Sequence, residues 1–343
     1  MVEITKKTKA IEGVNPDNIP WQRLMEECEP VVLKGIAKDW ELVRAGRQSA
    51  EKAMGYLKSF HNGKTVCAYL GPAEIKGKYF YKDDLSGLNF ESQRLPLDKV
   101  LDRIGEHLES ANPPSIYVGS TTLDACLPGL REYNDLVFDD AMFESGAPLT
   151  SIWVGNRSIA SAHYDAPNNL ACCVVGRRRF TLFPPDQIDN LYPGPLEPTP
   201  GGQAVSMVDF ADPDFDRYPR FRKALAAAQV ADLEPGDAVF YPSLWWHQVE
   251  ALSPFNVLVN YWWNTSPLYM GTPMNALYHA LLSLRDRPDH EREGWKHIFD
   301  YYIFGDRERP RTHLPEKVQG ALGPVDDTMA RQLRAMLLHK LNR

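Results

Sequence analysis

Apolar positions recur with different periods in successive stretches of the chain. In residues 96–109, PLDKVLDRIGEHLE, the apolar positions Leu97, Val100, Leu101, Ile104 and Leu108 fall at helical spacing. This predicts an amphipathic helix with His107 and Glu109 on its surface. Upstream, PVVLKG at 30–35 is a short β-prone run that ends at a glycine. Residues 1–112 therefore read as a mixed α/β extension.

From 113 to 268 the period changes. SIYVG (115–119), TSIWVG (150–155), LACCVV (170–175), RFTLF (179–183), AVFYP (238–242) and FNVLVNYWW (255–263) are short β-rich segments. Turn chemistry separates several of them, as at Pro184-Pro185 and Pro235-Gly236-Asp237. Many short strands without alternating helices predict a mainly β fold with helical additions, an antiparallel sandwich or barrel. A long insertion at 184–236 breaks the rhythm. Tyr192, Phe210, Phe215, Tyr218 and Phe221 are its candidate anchors, which favours an ordered cover over a disordered loop. Residues 269–343 turn helical, over 275–304 and 325–342. Met329, Leu333, Met336, Leu337 and Leu341 form a stripe in the last segment. That stripe suits either packing on the chain's own barrel or a homodimer surface.

Composition narrows the function classes. A net charge of −7 and a pI near 5.8 argue against general attraction to nucleic acid or anionic membranes. No run reaches the length of a membrane span, and the N-terminus lacks an apolar leader segment, so a cytoplasmic protein is expected. The five cysteines, Cys28, Cys67, Cys126, Cys172 and Cys173, have no CxxC spacing and read as reduced thiols. The glycosylation pattern at Asn156 and Asn264 reads as chance.

The candidate chemistry centres on His163-Tyr164-Asp165. On a strand, residues i and i+2 share a face, so an imidazole and a carboxylate can meet one metal while Tyr164 points away. His247, after Trp245-Trp246, is the best third ligand. Two histidines and a carboxylate leave open positions on a metal, the arrangement of non-haem Fe(II) oxygenases. A lone HxD also suits a structural histidine. Thirteen residues after Asp165, Arg178 lies inside GRRRF, opposite in phase to Arg177 and Arg179. Turned inward, it suits a carboxylate held by two parallel hydrogen bonds. Turned outward, it is part of a solvated basic run.

The blocks HYDAPNNLACCVVGRRRFTLFPPDQIDNLYPGPLEP, SMVDFADPDFDRYPRF, LEPGDAVFYPSLWWHQVE and VNYWW resemble the JmjC/cupin-like 2-oxoglutarate oxygenases, the asparaginyl hydroxylases most of all. The resemblance spans about residues 113–265, and PVVLKGIAKDW resembles the family's opening strand. It implies a double-stranded β-helix, or jelly roll, with residues 1–112 packed on it and His163, Asp165 and His247 as Fe(II) ligands. Arg178 falls on the lysine that grips the 2-oxoglutarate C5 carboxylate. Tyr117, Asn169 and Asn260 fall on positions lining the same pocket, and Trp262 on an aromatic near the substrate.

The chain departs from the pattern at two places. Ala160 replaces a threonine of the cosubstrate pocket. Ala204 and Val205 replace an Arg-Gln pair that holds the target asparagine. The expected activity is hydroxylation of a C–H bond in a protein, peptide or small molecule by Fe(II), 2-oxoglutarate and O₂, with demethylation as a lesser variant. The rival readings are a jelly roll that keeps the metal site and binds a ligand or peptide without turnover, and a cupin enzyme using another metal such as Mn(II).

Overall fold

The computed structural model describes residues 4–144 and 146–342. They fall into two compact units, Met1–Asn264 and Thr265–Arg343. Among the described residues the strands are β1 Lys9–Ile11, β2 Val31–Leu33, β3 Thr65–Gly71, β4 Lys78–Tyr79, β5 Glu91–Pro96, β6 Ser115–Thr122 and β7 Leu149–Gly155. They continue with β8 Ser158–Tyr164, β9 Asn168–Val175, β10 Arg178–Phe183, β11 Gln229–Leu233, β12 Ala238–Tyr241, β13 Trp246–Ala251 and β14 Asn256–Trp263.

All fourteen belong to the first unit and form two sheets. The larger runs β1-β2-β12-β9-β14-β7-β6-β3-β5 and the smaller β11-β10-β13-β8-β4. Nearly all pairings are antiparallel; β1–β2 and β4–β8 are parallel. The fold is thus mainly β with helical additions. Residues 1–112 supply β1 and β2 to one end of the larger sheet, and β3 and β5 to the other. The extension is therefore hydrogen-bonded into the barrel's own sheet.

The central strands of the larger sheet, β12, β9 and β14, are buried on both faces. Its outer face carries Cys172, Val174, Val257 and Val259, which pack with Leu42, Ala53, Leu57, Val100, Leu101 and Ile104 from the helices Glu41–Gln48, Ala50–Phe60 and Leu97–Gly105. Its inner face presents Ala171, Cys173, Val239 and Leu258 to Phe180, Leu182 and Leu233 of the smaller sheet. Cys172 and Cys173 thus sit in opposite cores, as strand alternation requires. Burial on both sides explains why β9 reads as a continuous apolar run after Asn168-Asn169. Each fully buried leucine here contributes about 1.5–3 kcal/mol. All five cysteines are free. Asn156 is buried, with its side chain bonded to Ile116 N and Pro114 O at 3.0 and 2.7 Å.

The helix expected over 96–109 ends at Gly105, where the chain continues in i→i+3 turns through Ser110. Glycine's conformational freedom makes it a weak link in a helix. At the β9–β10 turn a glycine is required. Gly176 has φ 75°, and a Cβ there would lie 2.3 Å from Asn256 Oδ1. This turn sets the phase of β10 and so directs Arg178 inward.

In the second unit the described helices are Met274–Ser283, Asp289–Phe299 and Asp327–Leu341, with a π-helical turn at Asp300–Phe304. The last buries Ala330, whereas Met336, Leu337, Leu338 and Leu341 are exposed. No helix among the described residues is long and apolar enough to cross a membrane.

Candidate metal centre and adjoining cavity

The sequence of β8 and β13 places two imidazoles side by side. His163 is the Cα partner of His247 across this antiparallel pair, and the rings lie 4.3 Å apart by centroid. A register shift between His247 and Val249 bends the ladder at this point. Asp165 follows β8 directly, and its Oδ2 lies 3.6 Å from His247 Nε2. One ligand atom from each of His163, Asp165 and His247 falls within 4.8 Å of the others.

Each histidine is oriented by the backbone carbonyl two residues before it. His163 Nδ1 lies 2.8 Å from Ser161 O, and His247 Nδ1 lies 3.0 Å from Trp245 O. An N–H at Nδ1 donating to a carbonyl leaves the Nε2 lone pair for a metal, the usual support of a ligating histidine. Burial, aided by the adjacent His247, depresses the His163 pKa to about 4, so its imidazole is neutral near pH 7. Burial pushes the Asp165 carboxyl up, but the His247 and His163 imidazoles outweigh it and hold it below its ordinary value. A carboxylate at Asp165 and a neutral imidazole at His163 are the protonation states a divalent cation needs.

The loop before β13 braces this end. Leu244 N donates to Asp165 O at 2.9 Å, Ser243 Oγ to Ala166 O at 2.5 Å, and Ser243 N to Asn168 Oδ1 at 3.1 Å. Leu244 takes φ 66° to do so. A bulky residue in the left-handed region costs about 1–2 kcal/mol.

A narrow cavity runs inward from the triad between the two sheets. Tyr117, Ala160, Asn169, Arg178, Asn260 and Trp262 all line it, together with His163, Asp165 and His247. The expected cosubstrate residues are therefore brought together on one wall system. Arg178 is 3% exposed, and its Nε and Nη2 have no hydrogen-bond partner among the described residues. Those two N–H groups form one parallel fork, the face that accepts both oxygens of a carboxylate. Burial pulls its pKa below the ordinary arginine value, yet a guanidinium keeps its charge. Burial raises the Tyr117 phenol well above its ordinary pKa, so it stays a neutral donor near Arg178. The Trp262 Nε1–H is likewise buried without a partner among the described residues.

Five further lining residues escaped the sequence reading: Trp153, Phe180, Tyr241, Val249 and Leu258. Alternation could have found most of them. Leu258 shares its strand face with Asn260 and Trp262, Phe180 with Arg178, and Val249 with His247. Trp153 needed the cross-strand register, where it pairs with Leu258. Burial also holds the Tyr241 phenol neutral, well above its ordinary pKa.

The insertion does not line this cavity among the described residues. Phe221 and Val208, with Tyr192, Phe210, Phe215 and Tyr218, pack against Phe183, Trp246 and Tyr164. Tyr164 and Trp246 alternate with His163 and His247, so the anchors cover the outer face of the smaller sheet. The expected cover is thus ordered, and it buttresses the smaller sheet from outside, behind His163 and His247. Ala204 and Val205 are buried in this segment, and Ser206 N donates to Ala162 O at 2.7 Å.

The model of the cupin-like domain family matches residues 16–269. Mouse tRNA wybutosine-synthesizing protein 5 is 29% identical over 328 residues, 85% of this chain and 94% of that protein. Jumonji C domain-containing protein 5 of Drosophila melanogaster is 27% identical over 248 residues, 70% of this chain and 56% of that protein. Lysine-specific demethylase JMJ31 of Arabidopsis thaliana is 38% identical over 129 residues, 36% of this chain and 23% of that protein. The chain spans about a quarter to a third of the length of that demethylase and of the HSPB1-associated proteins it also matches.

Proposed function

This chain belongs to the cupin-like domain family, and on that premise we propose that it is an Fe(II)- and 2-oxoglutarate-dependent oxygenase that hydroxylates a substrate C–H bond. The observation that carries this reading is the pairing, in one cavity, of a His-Asp-His triad with an arginine whose buried fork lacks an acceptor. Two unpaired buried N–H groups cost about 1–3 kcal/mol each, a cost that a dicarboxylate would remove. The donor set of two imidazoles and a carboxylate fits Fe(II).

In this reading His163, Asp165 and His247 hold the metal by one face. Arg178 grips the distal carboxylate of 2-oxoglutarate, and the neutral Tyr117 hydroxyl assists. Ala160 leaves room beside that carboxylate where a threonine would offer a further donor. Asn169 and Asn260 shape the middle of the cavity, and Trp262 meets the substrate at its rim. Bound there, Fe(II) with 2-oxoglutarate and O₂ supplies the oxidising power to replace a C–H hydrogen by hydroxyl. The protein's own work is to position that C–H bond and exclude water.

The substrate is a protein side chain, a peptide or a small metabolite. The relatives' names include a lysine demethylase and a wybutosine-synthesizing protein, so family membership leaves the substrate class open. Demethylation would be the same step on an N-methyl group. The test is slow uncoupled conversion of 2-oxoglutarate to succinate with Fe(II) and ascorbate. N-oxalylglycine should compete, and His163→Ala and Asp165→Ala should abolish turnover. Equal turnover in all three proteins would sink the assignment. Metal-dependent binding of 2-oxoglutarate without succinate, across a broad substrate panel, would mark a binding protein instead.

A further inference from the structure

A chain of side-chain hydrogen bonds crosses the cavity wall with a fixed direction. Trp153 Nε1 donates to Asn260 Oδ1 at 2.7 Å. Asn260 Nδ2 donates to Asn169 Oδ1 at 3.2 Å, and Asn169 Nδ2 to the Tyr241 hydroxyl oxygen at 2.6 Å. An indole N–H can only donate, so it fixes the Asn260 oxygen. That oxygen leaves the Asn260 amide to donate onward, and the same logic fixes Asn169. Tyr241 therefore receives a hydrogen bond and must send its own proton elsewhere. No described protein atom accepts it. Tyr241 lines the cavity, and its ring lies 4.6 Å from the His247 ring. Tyr241 thus lines the cavity beside a member of the triad, and its hydroxyl is a donor separate from the Arg178 fork.

We propose that Tyr241 is a positioning residue whose hydroxyl donates to the carboxylate at the metal-chelating end of a 2-oxo acid, with Trp153 setting the direction of that donation through Asn260 and Asn169. This rests on the oxygenase reading and adds a second anchor to it. Arg178 holds one carboxylate of the cosubstrate, and Tyr241 orients the other. Donors in series polarise one another, so the terminal hydroxyl is a stronger donor than an isolated phenol.

The test uses the whole protein loaded with Fe(II) under anaerobic conditions. Binding of 2-oxoglutarate is followed by calorimetry and by the metal-to-ligand charge-transfer absorption of the complex. Tyr241→Phe should weaken 2-oxoglutarate binding about 10- to 100-fold, as for loss of a hydrogen bond to a charged group. It should also shift the charge-transfer band, because the donor polarises a carboxylate on the metal. A merely structural tyrosine would lower the Tm of metal-free protein and leave the band unmoved. Trp153→Phe keeps the hydroxyl but frees the amides to reverse, and should move affinity and band the same way by a smaller amount. If Tyr241→Phe does not fold, Trp153→Phe alone decides. Wild-type-like affinity and an unmoved band in the folded variant would overturn the proposal. Failure of the wild-type protein to bind Fe(II) or 2-oxoglutarate would instead overturn the oxygenase reading beneath it.

Discussion

Replacing Arg178 should move ligand-free stability and cosubstrate affinity in opposite directions. The guanidinium is buried in the core, with Nε–H and Nη2–H lacking acceptors among the described residues. It shares its cavity with Phe180, Leu258 and Trp262. Methionine has similar length and no polar group to desolvate. Each unpaired N–H costs about 1–3 kcal/mol, so removing both gains roughly 2 kcal/mol after allowance for lost contacts. For a unit of this size, Arg178→Met should then raise the Tm of metal-free protein by about 4–8 °C.

Binding runs the other way. Two charge-assisted hydrogen bonds to a carboxylate contribute about 1.5–3 kcal/mol each. Their loss corresponds to at least about 100-fold weaker 2-oxoglutarate binding. Arg178→Lys keeps the charge but not the fork and should lose about tenfold. Differential scanning fluorimetry of metal-free protein gives the first quantity. Calorimetry with the Mn(II)-loaded protein gives the second. The reasoning fails if Arg178→Met is destabilised by 2 °C or more, or binds 2-oxoglutarate within about threefold of wild type.

Three further outcomes are expected. His163 has a folded pKa near 4 against about 6.5 unfolded, so as pH falls from 6.5 to 4 only the unfolded chain takes up this proton. Metal-free protein should lose up to about 3 kcal/mol over that window, a loss reduced in His163→Gln when Tm is compared at pH 7 and 4.5. The exposed Leu337 and Leu341 of the C-terminal unit fit a homodimer through these helices. Sedimentation should show a dimer that Leu337→Asp with Leu341→Asp converts to monomer, leaving 2-oxoglutarate binding intact. With a net charge of −7, the protein should show no micromolar binding of tRNA or duplex DNA at 0.15 M salt in a gel-shift assay.

The legible part of the site was the part encoded locally. His163 and Asp165 are two residues apart, and strand alternation alone puts both on one face. Arg178 was legible by its phase within GRRRF, once the strand was granted. His247 stands far along the chain, and its place beside His163 depends on the β8–β13 register, which the sequence pattern does not supply. The Trp153–Asn260–Asn169–Tyr241 relay was less legible still, because it joins four strands and its direction follows from donor chemistry at one end. The insertion shows the converse case, in which the needed information was present but unused. If His163 and His247 face inward, Tyr164 and Trp246 must face outward. Two large aromatics on an outer sheet face need cover, and the aromatic-rich insertion is the segment that provides it. His163 and His247 are thus held from behind by packing that, among the described residues, does not line the cavity. Substitutions at Phe221 or Phe210 should act on activity only through the stability and alignment of β8 and β13.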